Sequence, residues 1–174
     1  MLTGTIKVGS STEKALEGYW LAECELIGAW TQGCDRADAV DALRSLVEIR
    51  VKDAVPSAKG FRATVTALDE VDRQGIKVVI DGNDPGALAA AVLKHQRQNR
   101  GLTLAEVAKK LGSSNHNAYA AYERGEREPS LAKYRELLHA VAPELAFSIG
   151  EADRKPAKAA PTSKAARRHS RKAS

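Results

Sequence analysis

The chain has 174 residues, of which 43% are hydrophobic and 28% charged. That is enough apolar content for one medium domain or two small ones, and too much for a disordered chain. With 13 Gly and 6 Pro, a collagen-like or low-complexity chain is excluded. No run of about 18 apolar residues exists to form a membrane-spanning helix. The first residues, Met1 to Ile6, lack a basic stretch leading into an apolar one, so the expectation is a cytoplasmic protein.

The charge is unevenly placed. The chain carries a net +5 from 27 Lys/Arg and 22 Asp/Glu. Residues 1–83 hold 10 basic against 13 acidic side chains, a balance of −3. Residues 84–150 hold 9 against 7, and residues 151–174 hold 8 against 2. The basic character therefore comes from the tail, and any nucleic-acid argument must be local.

The two cysteines, Cys24 and Cys34, are expected as reduced thiols. The histidines, His95, His116, His139 and His169, are scattered. No metal-site spacing occurs, so no metal or cofactor is expected.

In chain order, Leu2, Ile6 and Val8 alternate with Thr3, Thr5 and Lys7, the period of a strand. Gly9 to Lys14 reads as a hairpin connection. Trp20, Ala22, Cys24 and Leu26 form one face of a second strand, with Tyr19, Leu21, Glu23 and Glu25 on the other. Ala29 to Gln32 is a short third strand. Asp35, with Asp38 three residues on, predicts a capped helix start. Val40, Leu43, Val47 and Val51 give its apolar stripe, and the helix ends before Pro56. Phe61 to Ala67 is a strand, Asp69 to Gly75 a charged turn, and Ile76 to Ile80 a last short strand.

From Asp84-Pro85 the pattern turns helical. A first helix runs from Pro85 to Asn99. A second opens at the capping box Thr103 to Glu106 and stops at Leu111-Gly112. A third covers Asn115 to Glu123, and a fourth runs from the cap Ser130 to Ala142. Leu145, Phe147 and Ile149 suggest a closing strand. Residues 151–174 show no apolar periodicity and are expected to be disordered. The division is therefore 1–82, 84–150 and a tail, 151–174.

The second helix, a glycine turn and the third helix have helix-turn-helix order. Leu104, Val107, Ala108, Leu111 and Gly112, then Tyr122, Glu123, Gly125, Pro129 and Ser130, resemble the Cro/phage-repressor class, often called XRE, over about Leu88 to Val141. Between Gly112 and Glu123 this chain has one residue more than the usual member. The resemblance implies that the third helix enters the major groove of duplex DNA by its N-terminal residues. Ser114, Asn115, Asn117 and Tyr119 are then the candidate base contacts. Arg97, Arg100, Lys109, Lys110, Arg124 and Arg127 are the candidate phosphate contacts. Glu123 reads instead as a fold-stabilising residue, Tyr122 as core and His116 as a surface turn residue. In the tail, Lys164, Arg167, Arg168, Arg171 and Lys172 could add unspecific phosphate attraction.

The front strings Gly18-Tyr19-Trp20-Leu21-Ala22 and Thr31-Gln32-Gly33-Cys34-Asp35-Arg36-Ala37-Asp38-Ala39 resemble HicB antitoxins. The string Ser114 to Glu123 is also similar to HicB members that carry a helix-turn-helix. The likeness departs at Glu25 to Ala29, where the family often has a Pro-Asp-Leu-Pro-Gly-like loop. It implies a partial RNase H-like front domain that blocks HicA, a small basic mRNA-cleaving toxin, and a protein that represses its own operon. Glu23, Glu25, Asp38, Asp41 and Glu48 are the candidate toxin contacts. Catalysis is not expected: the first strand has no carboxylate for metal-dependent nuclease chemistry, and no nucleophile–base constellation can be argued from spacing.

The fold expected is α+β, a small antiparallel sheet packed on one helix, followed by an all-α helix-turn-helix domain. The function expected is antitoxin and autorepressor, as a homodimer or higher homo-oligomer reading paired half-sites. One alternative is an XRE-type regulator whose front domain senses a ligand or another protein; another is a nuclease.

Overall fold

The computed structural model describes residues 2–8, 18–72 and 75–145. The Gly9–Lys14 connection, Phe147, Ile149 and the 151–174 tail lie outside the described residues. Five strands form one antiparallel sheet: β1 (Leu2–Val8), β2 (Trp20–Cys24), β3 (Ala29–Gly33), β4 (Ala63–Asp72) and β5 (Gly75–Gly82). Their order is β3-β2-β1-β5-β4. Helix α1 (Arg36–Ala54) lies between β3 and β4 in sequence. Four helices follow: α2 (Pro85–Asn99), α3 (Leu104–Lys110), α4 (His116–Glu123) and α5 (Leu131–Val141). The architecture is α+β, as the alternation and helical periods predict.

Alternation decides which sheet face is covered. Ala22 and Cys24 of β2, Ala29 of β3 and Ile76, Val78 and Ile80 of β5 are buried. Against them α1 sets Ala39, Leu43, Val47 and Val51, one residue per turn and all buried. Each buried Leu or Val contributes roughly 1.5–3 kcal/mol. The start of α1 is fixed by Asp35, whose carboxylate accepts the Asp38 amide at 2.9 Å. Asp38 reaches back in turn to the Cys34 amide at 2.9 Å.

Two elements differ from the sequence expectation. The second strand stops at Cys24, and residues Glu25–Ile27 form a 3-10 turn that ends on Gly28 at φ 63°. That turn reverses the chain, so that Cys24 can pair with Ala29. A side chain at Gly28 would collide with the His95 ring. The charged stretch Asp69–Asp72 is strand rather than turn. After an irregularity between Ala67 and Val71, β4 pairs on through Val71↔Ile76 and Asp72↔Gly75. An edge strand tolerates charged residues that an inner strand would not.

Helix α2 joins the sheet to the helices behind it. Ala87, Leu88, Ala90, Ala91, Val92 and Leu93 are buried, in a single cluster that runs from Ala22 to Ala142. Lys94 donates to the Ala54 carbonyl at the end of α1, at 2.9 Å. The buried Gln96 amide donates to the carbonyls of Glu25, at 3.3 Å, and Leu26, at 2.9 Å. Both carbonyls belong to the 3-10 turn, so α2 holds the sheet by polar as well as apolar contacts.

Candidate nucleic-acid interface

Helix α3 begins with a complete capping box. Thr103 Oγ1 accepts the Glu106 amide at 3.2 Å, and Glu106 accepts the Thr103 amide at 2.8 Å. The Thr103 amide and hydroxyl, which both donate to Glu106 at 2.8 Å, hold its carboxyl below the usual range. Val107 and Ala108 are buried, and α3 ends on Gly112 at φ 71°. The Ser113 amide returns to Ala108 and the Gly112 amide to Lys109. This closure requires a left-handed residue, which glycine supplies without a side-chain clash.

Helix α4 follows after Leu111–Asn115. The Asn115 amide donates to Ser113 Oγ at 3.1 Å, and Asn115 Oδ1 accepts the Asn117 amide at 3.0 Å, so Asn115 is the N-cap. Ser114, Asn115, His116 and Asn117 are exposed, whereas Tyr119, Ala120, Ala121 and Glu123 are buried. The fully exposed polar side chains of α4 lie on its first turn.

The buried side of α4 is held by charge. Arg97 of α2 donates Nε to Glu123 Oε1 at 2.7 Å and Nη2 to Oε2 at 2.9 Å. Its Nη1 donates to the Leu102 carbonyl at 2.8 Å. The hydrogen bond to Glu123 raises the Arg97 guanidinium further above its usual value. The Tyr119 hydroxyl is buried beside this pair without meeting hydrogen-bond geometry. Burial, and then the Glu123 charge, push the phenol well up.

Three nucleic-acid candidates are corrected by this geometry. Tyr119, 2% exposed, faces the core, because α4 needs a large side chain where Ala120 and Ala121 supply none. Arg97 is spent on Glu123 and Leu102. Arg100 donates to the Gln96 side chain at 2.5 Å and pairs with Glu144. Both arginines build the fold and present no free guanidinium to a phosphate. Lys109 and Lys110 are exposed at the end of α3. Arg124 is exposed but paired with Glu126 at 2.6 Å, and Arg127 is exposed beyond it. The structure therefore groups Ser114, Asn115 and Asn117 at the N-terminal end of α4. His116, read from the sequence as a turn residue, joins them on that exposed turn; its place directly after the cap is the signal that could have found it.

The front acidic candidates do not form one patch. Glu23 alternates with the buried Ala22 and Cys24, which sets it on the sheet face away from α1, opposite Trp30. Glu25 is exposed on the 3-10 turn. Asp38 and Asp41 are exposed on α1, across the sheet from Glu23, and Asp41 pairs with Arg44 at 3.4 Å. Glu48 is corrected: it accepts the Ala63 amide at 3.1 Å and pairs with Lys52 at 3.2 Å. Burial raises its carboxyl, but the Ala63 amide and the Lys52 and Arg62 charges outweigh that and hold it low. It ties α1 to β4 and is not a free surface acid. Among the described residues, no three His, Cys, Asp or Glu side chains are placed to hold a metal ion, and no helix is long and apolar enough to cross a membrane.

Residues 93–141 match a helix-turn-helix family model, HTH_3. The match spans the second half of α2 through the whole of α5 and marks this part of the chain as a DNA-binding unit of the kind found in transcriptional regulators. No curated protein matches the chain.

Proposed function

We propose that the protein is an antitoxin that also represses its own operon. In this reading the helix-turn-helix binds operator DNA, and the front sheet holds and occludes a HicA-like mRNA-cleaving toxin, with no turnover, metal or cofactor. The observation that carries the DNA half is the exposed first turn of α4, Ser114 to Asn117, on a helix whose other side is clamped by Arg97 and Glu123. Asn117 is the residue best placed for bidentate contact with adenine, because Asn115 Oδ1 is already used as a cap. Lys109, Lys110 and Arg127 supply phosphate contacts.

The toxin half is supported by the resemblance of Gly18–Ala22 and Thr31–Ala39 to HicB antitoxins, with the partial RNase H-like fold that resemblance implies. It is also supported by a sheet face that carries Trp30, 62% exposed, beside Glu23. The reading includes a cytoplasmic location and a homodimer, since one helix-turn-helix reads one half-site. Co-expression with a short basic protein encoded beside this chain tests it. Growth rescue and stoichiometric co-purification are expected. DNA binding without any captured partner would leave a regulator and remove the antitoxin.

A further inference from the structure

The loop joining α1 to β4, Val55–Gly60, belongs to the front unit, yet it touches the loop that leaves α4. A Cβ placed on Gly125 would lie 2.8 Å from Val55 Cγ1 and 3.9 Å from Ser57 Oγ. Gly125 has φ 70°, so glycine serves both the backbone turn and this close approach. The front loop is held in place from below. Val55, Ala58 and Phe61 are buried, the Ala58 amide donates to Val55 and the Phe61 amide to Ala58, each at 2.9 Å. Ser57 and Lys59 are left exposed, and Lys59 forms no ion pair among the described residues.

Helix α4 has eight residues, a length of about 12 Å. When such a helix points its first turn at the base edges, in a groove about 8.5 Å deep, its last residue comes out toward the rim, where the phosphates run. Gly125 sits just past that last residue, and the Val55–Gly60 loop sits against Gly125. The loop after α4 offers one cation without an ion pair among the described residues, Arg127. Arg124 is paired with Glu126, and Arg127 is followed by Glu128.

We propose that the Val55–Gly60 loop is part of the duplex-binding face, with Ser57 and Lys59 donating to the phosphate strand at the rim of the groove entered by α4. The inference rests on the DNA-binding reading above. It adds a contribution from the front unit that the helix-turn-helix alone lacks.

The test uses the full chain and two labelled duplexes, one selected by the protein from a random-sequence library and one scrambled duplex of the same composition. Affinity is measured from about 50 to about 200 mM salt. Lys59→Gln is expected to weaken binding to both duplexes about tenfold at the low-salt end. It should make the slope of log K against log salt shallower by about 0.9, the value of one phosphate contact. The ratio between the two duplexes should not move, and Ser57→Ala should weaken both without altering the slope. An unchanged slope in Lys59→Gln, with a shallower one in Arg127→Gln, would overturn the inference and leave the DNA-binding reading intact. Wild-type chain that bound neither duplex in a salt-dependent way would overturn both.

Discussion

Arg97 and Glu123 form a two-pronged ion pair between α2 and α4, with the side chains 14% and 5% exposed. The pair is the point where the helix proposed to read DNA is fixed to the rest of the molecule. Replacing Arg97 with Met leaves the Glu123 carboxylate buried and unpaired. The expected loss is about 3–5 kcal/mol in urea unfolding. The double replacement Arg97→Met with Glu123→Leu is expected to recover most of that loss, since two apolar groups leave no uncompensated charge. A single variant as stable as the wild type would contradict the pairing.

Tyr119 stands next to this pair, its buried hydroxyl short of a well-formed hydrogen bond. Tyr119→Phe removes a buried polar atom and keeps the ring. Stability is expected to stay level or rise by about 1 kcal/mol, and affinity for duplex DNA should not change. A clear drop in specific affinity with unchanged stability would restore Tyr119 as a base reader.

Asn115 and Asn117 are expected to separate. Asn115→Ala removes the α4 cap and should cost about 1 kcal/mol of stability. Asn117→Ala removes no side-chain hydrogen bond among the described residues and should leave the melting temperature almost unchanged. Thermal unfolding of the two variants distinguishes them, and equal losses would mean that Asn115 is not the cap in solution.

His95 lies at the junction of α2 with the 3-10 turn, against Gly28. Burial, then the charges of Arg50 and Arg100, hold its imidazole below the usual value. The unfolded chain therefore binds this proton more readily than the folded one. Stability is fully present above about pH 6.5 and falls as the pH drops below it toward the folded-state value. His95→Gln is expected to reduce the fall in urea midpoint between about pH 7 and about pH 5. An identical fall in the variant would assign the acid sensitivity to other groups.

The parts of the fold legible in the sequence are those set by local signals. Asp35, Asp84, Thr103 and Ser130 all cap the helices that follow them, because a cap needs only residues within three positions. The inward faces of β2 and α1 followed from periods of two and nearly four. The strand character of Asp69–Asp72 was hidden because it depends on pairing with β5 and not on composition. The internal roles of Arg97, Arg100 and Glu48 were hidden for the same kind of reason. Their partners, Glu123, Glu144 and the Ala63 amide, are 26, 44 and 15 positions away. At the candidate interface, the order of α3, turn and α4 was readable. Which side of α4 is open was not, because two alanines after Tyr119 give its apolar stripe little contrast.

The central claim is that the first turn of α4 reads base edges in duplex DNA. The most direct measurement compares wild-type and Asn117→Ala chains on a selected duplex and a scrambled one at a fixed salt concentration. The account predicts that Asn117→Ala loses about 1–3 kcal/mol of the preference for the selected duplex, while affinity for the scrambled duplex holds. An unchanged preference, or an equal loss on both duplexes, would contradict it.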